Sequence, residues 1–143
     1  MKYLHYALAS ILVLFVPIYG LLGAVASAIA LDTFTGVFKS VKLEGWNSIT
    51  SRGLSALVSK MLLYEMCILF LFIIDKNLLD EFIIRSFGIT YMFTKICCTI
   101  LIYIELVSIK ENVEASYKID IWALLKKLFL RAKEVKTDID QLK

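Results

Sequence analysis

The chain has 143 residues, of which 59% are apolar and only 20% charged, with one Pro, six Gly and a mean hydropathy of +0.77. That is one domain's worth of chain, and its apolar share exceeds the roughly 45–50% of soluble globules, which excludes a soluble enzyme and fits a small all-α integral membrane protein with polar tails. The net charge of +3 is too small to argue for nucleic acid, and there is no Gly-rich phosphate loop, zinc spacing or aromatic-plus-basic nucleotide surface.

The first apolar segment, about 7–38, carries Asp32 as its only charge. A crossing needs about 20 residues at about 1.5 Å rise each. This run is therefore longer than one upright span and shorter than two with a turn. Pro17, Gly20 and Gly23 lie in its middle and predict a kink or break there. Lys2 and the small residues AVASA (24–28) outline a signal peptide. The apolar run continues through Ile29 and Leu31, well past an h-region of about 7–15 residues, so uncleaved insertion is expected.

The second and third segments, about 54–74 and 87–109, fit single spans. They contain Lys60 and Glu65, then Lys95 and Glu105. All three segments are expected to be helical, because backbone groups in lipid must pair within their own segment. The stretch from Lys39 to Lys60 sets Lys39, Lys42, Arg52 and Lys60 against Glu44, and the tail from Lys110 to Lys143 holds eight Lys or Arg. The positive-inside rule makes both cytoplasmic and puts the acidic 75–86 loop outside. Three spans then leave the N-terminus outside, whereas a broken hairpin in the first segment returns it, with Lys2, to the cytoplasm. The division is a membrane domain over 1–112 and a cytoplasmic tail over 113–143.

Ionisable residues inside a span cost about 2.5–3.5 kcal/mol each on insertion scales, so they call for partners. Asp32, Lys60 and Glu105 lie about 10, 9 and 7 Å from the same face and are candidates for one cluster. Glu65 and Lys95, equally far from a turn centred near residue 80, are candidates for a deeper pair. Such pairs either hold the helices together or face water or another subunit, and Lys60 and Lys95 also have the option of snorkelling. Gly20, Gly23, Ala24, Ser27, Ala28, Thr35 and Gly36 give spacings that allow close helix approach, within one chain or between copies. Cys67, Cys97 and Cys98 sit in apolar surroundings and read as packing residues. His5 is assigned no role. No catalytic residue, metal site or cofactor is indicated.

In the tail, residues 120–136 place Ile121, Trp122, Leu125, Leu128, Phe129, Ala132 and Val135 on one stripe, with Asp120 as a helix cap. Lys126, Lys127, Arg131, Lys133 and Lys136 supply a basic side. A basic amphipathic helix of this kind lies in the membrane interface or packs on a protein partner, and the interface is the preferred reading. The final TDIDQLK is polar and expected to fray.

Two blocks of sequence resemble the toxin-secretion/phage-lysis holin family. The first is Asp32-Thr-Phe-Thr-Gly36, then Lys39, then Asn47-Ser-Ile-Thr-Ser-Arg-Gly53, then Lys60 before a span ending at Asp75. The second is Glu105-Leu-Val-Ser-Ile-Lys-Glu-Asn112. They are similar to the family's D-x-x-T-G, S-x-x-G-L and E-x-x-S-I-x-E-N patterns, in the same order. The matching positions are Asp32, Thr35, Gly36, Ser48, Gly53, Lys60, Asp75, Glu105, Ser108, Glu111 and Asn112. Where the family often has a Gly–Pro turn after the second block, this chain has ASYKID (115–120). The resemblance implies a multi-pass protein of the host bacterial cytoplasmic membrane, with its C-terminus in the cytoplasm. It implies self-association in the bilayer and timed opening of lesions. These serve an endolysin functionally, without direct contact, and involve no nucleic acid. It also implies that Asp32 is a polar contact within a helix bundle. The alternatives are a membrane anchor or adaptor, and an antagonist of a holin built on the same fold.

Overall fold

The computed structural model describes residues 5–6 and 13–141, without the side chains of Arg52, Glu134 and 136–141. All regular structure among the described residues is helical. A 3-10 turn over Val16–Ile18 leads into α1, Tyr19–Glu44. Pro17 sits in that first turn, where its missing N–H removes no helical hydrogen bond. Gly20 and Gly23 lie inside α1, which runs past them without a break. Val13 and Leu14 are helical, so the turn at Phe15 and the 3-10 segment at Pro17 interrupt the helix where the sequence predicts a kink or break, and residues 16–44 beyond it form one span-length helical stretch. Residues 7–12 and Lys2 lie outside the described residues. Gly45 ends α1 at φ 88°, a left-handed backbone suited to glycine, and its N–H bonds Val41 O.

α2 covers Ser51–Ile74, passes through one π turn over Asp75–Leu79, and continues as α3, Asp80–Phe87. The 75–86 stretch, expected as a loop, is thus helical, and the chain reverses after it, through Gly88 at φ 69° and Tyr91 at φ 51°. Two of its three acidic residues, Asp75 and Asp80, serve the next helix. Asp75 Oδ2 accepts hydrogen bonds from Thr94 N at 2.7 Å and Thr94 Oγ1 at 2.6 Å. Asp80 Oδ1 accepts from Tyr91 N at 3.0 Å. Two carboxylates thereby meet N–H groups at the start of α4, Met92–Tyr117, where orphan donors and the positive end of the helix dipole favour negative charge.

α4 ends at Lys118, φ 53°. This left-handed residue makes the turn where the sequence has ASYKID instead of a Gly–Pro. Glu114 fastens it: its Oε2 pairs with Lys110 Nζ at 3.0 Å, and its Oε1 accepts from Ile121 N at 3.0 Å. α5, Ile121–Gln141, is capped by Asp120, whose Oδ1 accepts from Ala123 N at 3.0 Å.

α1 and α4 run parallel, since Asp32, Phe38 and Lys39 on α1 advance alongside Asn112 and Tyr117 on α4. α2 crosses back antiparallel, with Cys67 Sγ 4.0 Å from Cys97 Sγ. The buried core is small: Ile18, Val25, Ile29, Ile68, Phe72 and Cys98, with Phe72 contacting the rings of Phe15 and Tyr91. Large apolar side chains such as Phe34, Leu63, Phe70 and Tyr103 point outward. Three helical stretches, Val16–Glu44, Gly53–Phe87 and Met92–Tyr117, are long and apolar enough to cross a bilayer. An outward-facing apolar surface is what lipid requires and what water would penalise.

Replacing Asp75 by Ala removes the acceptor for two donors of Thr94 in a buried site. The expected loss is about 3 kcal/mol of stability, read as a lower melting temperature in detergent micelles. Asp75→Asn keeps an acceptor oxygen and is expected to lose less.

Candidate functional site

The charged residues of the three spans meet at one level. Asp32 arrives from α1, Lys60 from α2 and Glu105 from α4. Lys60 Nζ lies 3.0 Å from Asp32 Oδ2 and 2.5 Å from Glu105 Oε2. Glu105 is fully buried, and its other oxygen, Oε1, has no hydrogen-bond partner. The network continues toward the helix ends. Asn112 Nδ2 donates to Asp32 Oδ1 at 3.1 Å, and Asn112 Oδ1 accepts from Lys39 Nζ at 2.5 Å. Thr35 Oγ1 donates to the Asp32 carbonyl at 2.9 Å and lies 3.5 Å from Asn112 Nδ2. The order is Glu105, Lys60, Asp32, Asn112, Lys39, so two lysines balance two carboxylates.

Local sequence makes this possible. A Cβ on Gly36 would stand 3.4 Å from Asn112 Nδ2, so glycine gives the amide room between α1 and α4. One turn further on, Lys42 Nζ sits 3.6 Å above the Tyr117 ring, which stacks on Phe38 at 6.1 Å. Beside the network a cavity of about 520 Å³ opens between α1, the start of α2 and α4. Its wall includes Asp32, Gly36, Ser48, Gly53, Ser108 and Asn112. Its lining is mixed, with polar side chains beside Val37, Ile49 and Leu54, and it is roomy enough for water to reach the Asp32 carboxylate.

Among the motif positions, Thr35, Lys60 and Glu105 join the network next to this cavity. Asp75 lies apart, at the start of α4, and Glu111 is exposed. The tail residues Trp122, Lys126, Lys127, Phe129 and Arg131 are all exposed on α5.

Glu65 and Lys95 are not brought together, and no ion pair joins them among the described residues. Their depths are similar, but their directions are opposed. Cys67 and Cys97 face each other across α2 and α4. Glu65 and Lys95 each precede one of these cysteines by two residues, which turns them roughly 200° away from that contact. Lys39 and Thr94 were not singled out as site residues. Lys39 reads in sequence as an ordinary flank charge, and nothing in the sequence ties Thr94 to Asp75 on another helix. No cluster of metal-ligating residues occurs among the described residues.

Lys60→Ala would leave two carboxylates facing each other without their shared cation. Glu105 is fully buried but the Lys60 side chain keeps 31% exposure, so the expected cost lies below the about 3–5 kcal/mol of a fully buried pair, read as a drop in thermal stability in detergent. Adding Asp32→Asn and Glu105→Gln to Lys60→Ala is expected to recover most of that loss.

No curated protein and no solved structure matches the chain. The sequence pattern described as the bacteriophage holin family matches residues 9–134. That range spans all three membrane-length helices, the charged network and most of α5. The chain is a multi-pass, holin-type membrane protein and belongs to the bacteriophage holin family.

Proposed function

We propose that this chain is a lesion-forming holin of the host cytoplasmic membrane. It accumulates there with residues 113–143 in the cytoplasm, self-associates, and opens at a set time. Opening lets an endolysin act on the cell wall, either by passage or by loss of the membrane potential. The observation that carries this reading is the neutral chain of charges from Glu105 to Lys39 inside an otherwise apolar bundle. While these charges pair within one molecule, they are kept from lipid and the bilayer stays sealed. The same groups can exchange partners for water or neighbouring copies once the helices rearrange, because the adjacent cavity has room for water beside Asp32. Their roles are electrostatic and structural, and none is enzymatic.

α5 supports a surface role in the same process. Trp122 and Phe129 offer apolar anchors, and Lys126, Lys127 and Arg131 offer attraction to anionic headgroups. Truncation after Ile119 removes α5 but keeps Tyr117 over Lys42. The truncated protein is expected to seal and open as before in a neutral bilayer, with slower accumulation in anionic membranes.

The deciding experiment is inducible expression in a bacterium with a membrane-potential dye followed over time. A sudden late collapse is expected. Asp32→Asn, which weakens the closed network while leaving the Lys60–Glu105 pair, is expected to bring the collapse forward. A chain that reaches the membrane and leaves the potential intact would instead be an anchor, or an antagonist of a holin.

A further inference from the structure

Glu65 and Lys95, in the apolar stretches of α2 and α4, stay outside the internal network. Glu65, on α2, is half-buried, and Lys95, on α4, is exposed. Neither side chain makes a hydrogen bond or ion pair among the described residues. Glu65 lies mid-helix, where an unpartnered charge is costly, and Lys95 lies one turn inside the start of α4. The Cys67–Cys97 contact sets their relative heights. Glu65 stands about 3 Å to one side of that level and Lys95 about 3 Å to the other. They are therefore about 6 Å apart along the membrane normal, which a lysine's four-carbon arm spans. Within one chain they point to opposite sides of the α2–α4 contact. Two copies side by side in the same orientation remove that obstacle.

We infer that Glu65 of one copy pairs with Lys95 of the next, so that the self-association surface is head-to-tail. This rests on the holin reading for its setting and names the contact that reading leaves open. The surrounding shapes match the charges. Lys95 lies in a shallow groove of about 330 Å³ lined by Ile89, Met92, Ile96, Thr99 and Ile100. Glu65 lies beside the exposed Leu62 and Met66, which are four residues apart, the spacing by which one helix fills the groove of another. A heterologous contact of this kind uses two different surfaces of each copy, so it propagates into a ring or an open array rather than stopping at a dimer. It leaves the internal network of Asp32, Lys60 and Glu105 undisturbed, so association and opening are separate events.

The test uses the full chain in native membranes and a membrane-permeant carbodiimide. This reagent condenses a carboxylate with an adjacent amine to an amide, and it takes up the water as a urea. Glu65–Lys95 bonds between copies are expected to give a ladder of multiples on a denaturing gel. The ladder should be lost in Glu65→Gln and in Lys95→Met and regained in the exchanged variant Glu65→Lys/Lys95→Glu. The bond from Lys60 to Asp32 or Glu105 within one chain, mapped by mass spectrometry, reports that each variant is folded. The inference is overturned if folded protein gives no ladder. It is equally overturned if the ladder survives both single substitutions, as it would were Lys95 merely reaching for headgroups. The membrane potential is read separately in the same cells. A ladder without potential collapse would keep the interface and remove the lytic reading. Collapse without a ladder would do the reverse.

Discussion

Everything in this bundle is organised around one ammonium group held between two carboxylates where water is scarce. Lys60 reaches Asp32 on one helix and Glu105 on another, so a single side chain joins all three spans. In water such a contact is worth little. In a lipid-facing bundle the alternative is an unpaired charge, and the pairing becomes a condition for the helices to sit together at all. The apolar core is too small to supply specificity alone, and lipid offers no hydrophobic drive between helices. Register is therefore set by polar contacts, and the apolar residues fill around them.

The parallel pair α1 and α4 extends the same logic toward the helix ends. Asn112 is the connecting piece. Its amide donates to Asp32 and its carbonyl accepts from Lys39, so it transmits charge balance from the buried level to the end of α1. Gly36 permits the approach, and the Lys42–Tyr117–Phe38 stack closes it. At the opposite end, Asp75 and Asp80 cap the start of α4 and define where the chain turns. The bundle is thus pinned by polar contacts at both ends and in the middle.

Part of this was legible in the residues themselves. Asp32, Lys60 and Glu105 lie at similar distances from one face, so counting residues at a fixed rise puts them level, and the structure joins them. The same counting puts Glu65 level with Lys95, and the structure keeps them apart. Counting gives depth and carries no information about direction around the helix. The 75–86 stretch illustrates a second gap. Its acids look like loop residues because charge usually means solvent, but Asp75 and Asp80 spend theirs on N–H groups of the next helix. Their partners, Thr94 and Tyr91, are ordinary residues with no pattern to announce them.

The sequence by itself determined the class: three membrane-length apolar helices, a basic amphipathic tail, buried charges of both signs, and motif blocks shared with one family. These follow from hydropathy and from the fixed rise of a helix, which are local properties. The tertiary structure decided which charges meet, where the chain reverses, that the first segment is one helix past Pro17, and that Asn112 links Asp32 to Lys39. Those depend on the angle at which each helix faces its neighbours. That angle is set by the sum of all contacts at once, and no single stretch of sequence contains it.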